Sequence, residues 1–333
     1  MSAMPALSVV VPCFNEQGTL VELHARLGEV AADLGIGDDL EVVLVDDGST
    51  DDTLQVAREL AATDPRVVVL RLSRNFGKEA AMLAGLRQAR GAAVALIDGD
   101  LQHPPELLAS MYTLLRTTDV EQVVARRDRA DDPFVRAQLS RLYYRLVNGL
   151  IETVRIQDGV GDFRIMSRQV LDALLALPER NRFSKGLFSW VGFPTGTVSY
   201  RNIQRGSGRS GWTLRSLLNY GIDGALAFNT RPLRLLMHLG GWAAVAALAY
   251  LVWLLVGYLL HGVTQPGYIT TIAVITGLSG VQLLAVGVMG EYVGRIYQEV
   301  KARPSYLVHE VIRAERGSGA PGRLDDDTAT GAR

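Results

Sequence analysis

Short apolar runs alternate with amphipathic stretches over the first ~110 residues, the pattern of repeated βα units. Leu7–Val11 is a β-rich run that stops at Pro12. Glu16–Leu34 follows, with Leu20, Leu23, Leu27, Val30 and Leu34 in a helical stripe. Glu41–Val45, Val67–Leu72, Ala92–Ile97 and Glu121–Ala125 read as further strands. Asp51–Ala62, Lys78–Ala89 and Pro104–Arg116 read as helices between them, the last opening with prolines suited to a first turn. Strands this uniformly apolar predict a mostly parallel sheet covered on both faces. In such sheets ligands bind at the carboxyl ends of the strands. Those ends carry Pro12-Cys13-Phe14-Asn15-Glu16, Asp46-Asp47-Gly48-Ser49 and Asp98-Gly99-Asp100, which together suggest one site.

Farther on, Asp132–Ile151 reads as a helix, Val160–Ser167 as a short strand, Arg168–Leu177 as a helix and Pro194–Ile203 as a strand. Gln204–Gly211 is a Gly/Ser/Arg loop, and Trp212–Phe228 suits a helix lying at a membrane surface. The pattern then changes. From Leu235 to Gly290, 56 residues pass without an Asp, Glu, Lys or Arg. That length exceeds a soluble core helix and suffices for two spans of ~20 residues each. The break at His261–Gly267 predicts a hairpin with helices near 239–260 and 269–293. Arg231, Arg234, Arg295, Lys301 and Arg303 flank it, which predicts that both ends lie in the cytoplasm. A buried helical pair in a soluble protein is the competing explanation.

Composition narrows the classes. A net charge of −1 over 333 residues argues against a general nucleic-acid binder. The single cysteine, Cys13, excludes an intramolecular disulfide framework and a cysteine-built zinc site. The start, MSAMPALSVVVP, lacks a basic segment followed by a long apolar core, so no cleavable signal is expected.

The chemistry concentrates in acidic strand ends. Asp98 and Asp100, two apart after a strand with Gly99 between, can aim at one point if the backbone turns there. Paired carboxylates with oxygen or water ligands suit Mg2+ or Mn2+ and leave room for a diphosphate. An acidic turn is the plainer alternative. Around Asp46-Asp47-Gly48-Ser49-Thr50-Asp51, capping of the next helix and a tight turn at Gly48 explain most of the run. The doubled acid at the strand end itself is not explained that way.

These segments, with Asn75-Phe76-Gly77-Lys78, Asp98-Gly99-Asp100-Leu101-Gln102-His103-Pro104-Pro105-Glu106, Gly161-Asp162-Phe163-Arg164 and Asn181-Arg182-Phe183, resemble the family 2 glycosyltransferases of GT-A fold. The resemblance is closest to the polyprenyl-phosphate glycosyltransferases, including the bactoprenol glucosyltransferases and dolichol-phosphate mannosyltransferases, and spans roughly residues 7–300. It implies a nucleotide-sugar donor whose base and ribose are held by Pro12, Phe14, Glu16 and Asp46 or Asp47. Asp98, Asp100 and Gln102 would hold the metal and diphosphate. Asp162 and Arg164 would lie beside the acceptor and, with Asp100, form the catalytic group. The lipid phosphate would meet Arg126 or Arg127, with Arg201 and Arg205 as further basic residues. The domains expected are a cytoplasmic GT-A domain at 1–210 and an interfacial helix region at 211–232. A transmembrane hairpin follows at 233–297, then a cytoplasmic tail at 298–333, largely disordered from 314.

A lipid monophosphate has a second pKa of ~6 and is largely dianionic at neutral pH, so it can attack the anomeric carbon without first losing a proton. A catalytic base becomes optional, and a single displacement inverts the sugar. By the same resemblance a UDP-sugar is favoured, glucose first, with GDP-mannose as the alternative. Many relatives carry Gly-Glu-Ser-Lys-Tyr before the surface helix, where this chain has Gly208-Arg209-Ser210-Gly211-Trp212. A processive polysaccharide synthase needs Gln-x-x-Arg-Trp, a spacing that Gln204–Trp212 lacks. A degenerate scaffold is the non-enzyme alternative. Gly277, Gly280, Gly287 and Gly290 could pack hairpin helices into a homo-oligomer.

Overall fold

Every residue of the first two strands is buried, and neighbouring side chains go to opposite sides of one sheet. The computed structural model describes residues 4–127, 160–179, 182, 184–200, scattered positions from 238 to 260, and 267–314. Its elements, in chain order, begin with β1 (Leu7–Cys13), α1 (Leu20–Asp33), β2 (Leu40–Asp46), α2 (Thr53–Thr63), β3 (Val67–Leu72) and α3 (Lys78–Gln88). Then come β4 (Ala93–Leu96), α4 (Leu107–Thr117), β5 (Gln122–Arg127), β6 (Val160–Ser167), α5 (Arg168–Leu175) and α6 (Ser184–Trp190). Last are β7 (Thr195–Tyr200), α7 (Tyr268–Lys301) and β8 (Val308–Arg313).

The eight strands form one sheet in the order β7-β5-β6-β4-β1-β2-β3-β8. The block β4-β1-β2-β3 is parallel, and β5 pairs with β7 in parallel. β6 runs antiparallel to both β4 and β5, and β8 antiparallel to β3. The expected α/β architecture with a mostly parallel sheet is therefore what the chain adopts. Val9, Val11, Val42 and Leu44 point to the side covered by α1, α2 and α4. Val10, Val43, Val45 and Leu70 point to the side covered by α3 and α5. Two dry layers thus explain why the strands lack the polar alternation of a one-sided sheet. On the α3 side the helix comes very close. A Cβ on Gly85 would stand 2.3 Å from Val10 Cγ1 and 2.9 Å from Val45 Cγ2.

Successive strands step from β1 through β2 to β3, whereas β4 returns to the other side of β1. That reversal opens a crevice at the carboxyl ends of β1 and β4, where ligands bind in sheets of this kind. The crevice is thus bordered by Pro12–Glu16 and Asp98–Asp100.

The C-terminal region departs from expectation. Residues 298–333 read as a tail, yet Val308–Arg313 adds a strand to the β3 edge. Glu310 of this strand meets Arg58 at 2.5 Å and Arg71 at 3.4 Å. The sheet thus takes its last strand from beyond residue 297, the expected end of the hairpin. β8 leaves little hydrophobic signal because it lies at a sheet edge with four of its six residues exposed. The second expected span falls within α7, a continuous helix of 34 residues. Among the described residues no helix is long and apolar enough to cross a membrane. The expected helix at 132–151, the loop at 204–211 and the surface helix at 212–228 lie outside the described residues.

Gly85→Ala is expected to destabilise the domain by about 1–3 kcal/mol through overpacking, despite alanine's better helix propensity. Urea denaturation checks this, and an unchanged midpoint would show that α3 sits farther from the sheet.

Candidate active site

Four loops meet at the crevice, and polar groups of one satisfy backbone groups of another. After β1, the Asn15 amide donates to Ser49 Oγ at 3.1 Å and the Glu16 amide to Thr53 Oγ1 at 2.7 Å. Asn15 returns the contact by accepting from the Thr50 amide at 2.9 Å. Thr19 Oγ1 donates to the Gly99 carbonyl at 2.6 Å, tying the β1 loop to the β4 loop. After β2, Asp47 accepts from the amides of Phe76 at 2.7 Å and Gly77 at 2.8 Å, which fixes the loop that leads into α3. Gly48 (φ 69°) lies so close that a Cβ would stand 2.6 Å from the Asn75 amide nitrogen. Asn15 and Leu101 hold left-handed backbone without being glycine, at φ 58° and 55°. Such conformations persist where surrounding contacts over-determine them.

The loops enclose a cleft of roughly 270 Å³ lined by residues including Pro12, Phe14, Glu16, Asp47, Asp98 and Asp100. Six expected site residues thus share one space. Of the alternatives at the second strand end, Asp47 faces the cleft. Asp46 is buried and accepts from the Ser49 amide at 3.1 Å. Gln102 folds back, its backbone and side-chain amides both donating to the Asp100 carboxylate. Arg126 is exposed at the end of β5, while the Arg127 side chain, Arg201 and Arg205 lie outside the described residues.

Asp162 enters the site through a residue given no role in the sequence reading. Lys78 Nζ lies 2.6 Å from Asp98 Oδ1 and 2.7 Å from Asp162 Oδ2. Burial alone would lower the lysine's pKa, but the two carboxylates outweigh it and hold the ammonium charged. Burial likewise pushes Asp162 up, and Lys78 overrides it, leaving the carboxyl below its ordinary range. Burial, then the charge of Asp100, raises Glu16. The cleft is therefore crowded with negative charge. Sequence placed Lys78 at the start of a helix, and only the return of β6 beside β4 brings Asp162 to it.

Arg164, expected beside the acceptor, is only 3% exposed, and its guanidinium stacks on the Phe188 ring at 3.6 Å. It donates to the carbonyls of Gly161 at 3.0 Å and Asp162 at 3.3 Å. Burial brings its pKa down to about 10, so it stays a cation at neutral pH. Its contacts brace the start of β6, which carries Asp162, and neither side chain is among the residues lining the cleft. His103, partly buried, shares a hydrogen bond between Nδ1 and the Tyr200 hydroxyl at 2.6 Å, with Nε2 3.8 Å from Asp98 Oδ2.

This arrangement coincides with a family pattern. Residues 8–175 match the model of Glycosyl transferase family 2, and residues 231–296 match the GtrB C-terminal hairpin. The chain belongs to glycosyltransferase family 2. This glycosyltransferase is 45% identical over 304 residues to the putative glycosyltransferase CsbB of Bacillus subtilis, covering 91% of each chain. It is 39% identical over 308 residues to the SfII prophage-derived bactoprenol glucosyl transferase of Shigella flexneri, covering 92% of this chain and 98% of that one. Among solved structures, a mannosyltransferase of Pyrobaculum calidifontis in complex with GDP-Man and Mn2+ aligns at TM-score 0.44 and 19% identity. That alignment covers 86% of this chain and 88% of the other, a similarity too low to carry ligands across. Membership of that family, with the mostly parallel sheet, makes the domain a GT-A fold and the protein a transferase.

Asp47→Ala removes the acceptor of two loop amides, a loss worth about 1.5–3 kcal/mol for bonds to a charged group. Amide exchange at Phe76 and Gly77 is expected to quicken roughly tenfold or more. Unchanged protection there would show that the loop is held by something else.

Proposed function

We propose that this glycosyltransferase moves a sugar from a nucleotide-sugar, UDP-glucose or another UDP-sugar, onto a polyprenyl phosphate such as undecaprenyl phosphate. The product, a lipid-phosphate-linked sugar, would feed cell-envelope glycan or glycoprotein modification. The observation that carries the reading is the acidic cleft at the β1/β4 crevice, in a chain that shares 39% identity with a bactoprenol glucosyl transferase over almost its whole length.

Pro12, Phe14, Glu16 and Asp47 border the part of the cleft suited to base and ribose, Phe14 offering a half-exposed ring. The donor set at the β4 end is hard: carboxylates of Asp98 and Asp100 with the amide oxygen of Gln102 close by. It fits Mg2+ or Mn2+, which Asp98, Asp100 and Gln102 would hold. Bound there, the ion would supply charge stabilisation for the departing nucleoside diphosphate. The rest falls to the protein. Lys78, at the rim of the same acids, is placed to attract the diphosphate, and its hold on Asp162 keeps that carboxylate ionised. Asp162 then orients the acceptor side, with no need to take a proton from a phosphate that is already dianionic. Arg126, with Arg127, Arg201 and Arg205, would draw the lipid phosphate.

The hairpin is read as two membrane spans with the GT-A domain at the cytoplasmic face of the cell membrane. Supporting it are the family match at 231–296 and the exposure of Trp242, Trp253, Leu259, Leu260, Leu283 and Met289. Apolar surface on this scale marks contact with lipid or another chain. A homo-oligomer packed through the hairpin glycines is the accompanying expectation.

Membranes containing the protein, given undecaprenyl phosphate and a panel of UDP- and GDP-sugars, are expected to form a glycolipid with a UDP-sugar. NMR of a product made from an α-linked donor should show the β anomer. EDTA should abolish turnover, and Asp100→Ala should do so without unfolding the protein. Product formation unchanged in EDTA would sink the metal assignment. Absence of product with every donor would favour a scaffold.

A further inference from the structure

Lys78 is doubly committed, and one of its partners is a residue assigned to the divalent ion. Its ammonium lies 2.6 Å from Asp98 Oδ1 and 2.7 Å from Asp162 Oδ2. An ammonium on one oxygen of a carboxylate competes with a dication for that group's charge, and a few ångströms apart the two cations repel. The remaining donors are few. Among the described residues no group of three or more His, Cys, Asp and Glu is arranged to hold a metal ion. Asp100 is itself engaged by both amides of Gln102. Without the donor the cleft therefore offers a dication one carboxylate shared with an amide and another whose Oδ1 already meets a lysine.

The same geometry shows how the obstacle is removed. Lys78 is the first residue of α3, its side chain is 45% exposed, and its stem is a flexible four-carbon chain. Asp162, more deeply placed at 13% exposure, would still hold the ammonium if Asp98 were released. A diphosphate entering the cleft brings negative charge that offsets the repulsion between lysine and dication, and gives Lys78 a new anionic neighbour.

We infer that Lys78 is a resident counter-ion that keeps the divalent cation off Asp98 until the nucleotide-sugar's diphosphate arrives, so that cation and donor are taken up together. The inference rests on the donor and metal reading given above. Lys78 is on this view a positioning residue whose displacement onto Asp162 and the diphosphate opens the Asp98 seat.

The test measures Mn2+ binding to the purified full-length protein in detergent, by electron paramagnetic resonance of free Mn2+, with and without UDP. Wild type should bind Mn2+ weakly alone and at least tenfold more tightly with UDP. Lys78→Met should bind Mn2+ about tenfold more tightly than wild type in the absence of UDP, the scale expected of one screened charge near a dication. Lys78→Arg should restore the wild-type dependence on UDP. Asp162→Asn removes the alternative seat and should weaken Mn2+ binding without UDP. The inference is overturned if Lys78→Met binds Mn2+ no better than wild type without UDP while UDP still strengthens both. It is equally overturned if Asp162→Asn leaves that affinity unchanged or raised. A wild type that binds no Mn2+ even with UDP would sink the donor and metal reading as well.

Discussion

Carboxylates gathered at the ends of buried parallel strands repel one another and lose hydration, and a fold that gathers them must supply compensating charge or hydrogen bonds. Here Lys78 supplies the charge. Its ammonium is shared between Asp98 from the end of β4 and Asp162 from β6, two strands paired antiparallel at the centre of the sheet. Exposed ion pairs contribute little. This one matters because Asp162 is largely shielded and its carboxyl is held ionised against burial. The acidic character of the cleft depends on that compensation.

Hydrogen bonds do the same for the neighbouring acids. Asp47 takes two amides of the loop before α3, and Asp46 takes the Ser49 amide, so neither carboxylate is left unsatisfied. Because these bonds cross between loops, each acid also fixes the loop that faces it. The Thr19 hydroxyl on the Gly99 carbonyl closes the circuit between β1 and β4. A preorganised cleft follows from the need to satisfy polar groups at the ends of buried strands.

Much of this was legible in the sequence, for a physical reason. Periodicity reports local burial, so Leu20, Leu23, Leu27 and Val30 mark the buried face of α1, and the apolar runs mark the doubly covered strands. The acids at strand ends follow from where parallel sheets bind ligands. What stayed hidden depends on contacts distant in sequence. Nothing near Lys78 announces Asp162, and nothing in Asp-Phe-Arg says that Arg164 will turn inward onto Phe188. Asp46 and Asp47 were equivalent as text. Only the twist of the chain after β2 sends one towards Ser49 and the other towards the loop before α3.

The last strand constrains the whole chain. β8 pairs with β3 along Val308–Arg313, and Glu310 joins it to Arg58 and Arg71. The chain therefore leaves the sheet after β7 and returns to its opposite edge, because β7 and β8 are the two ends of the strand order. The stretch from 201 to 307 is therefore tied to the sheet at both of its ends. With the hairpin in the bilayer as proposed, the double anchorage would limit how far the cleft can stand from the lipid surface. An acceptor that arrives in the membrane and a donor that arrives from solution require that closeness. On that proposal the edge strand would bear on function even though none of its residues lines the cleft.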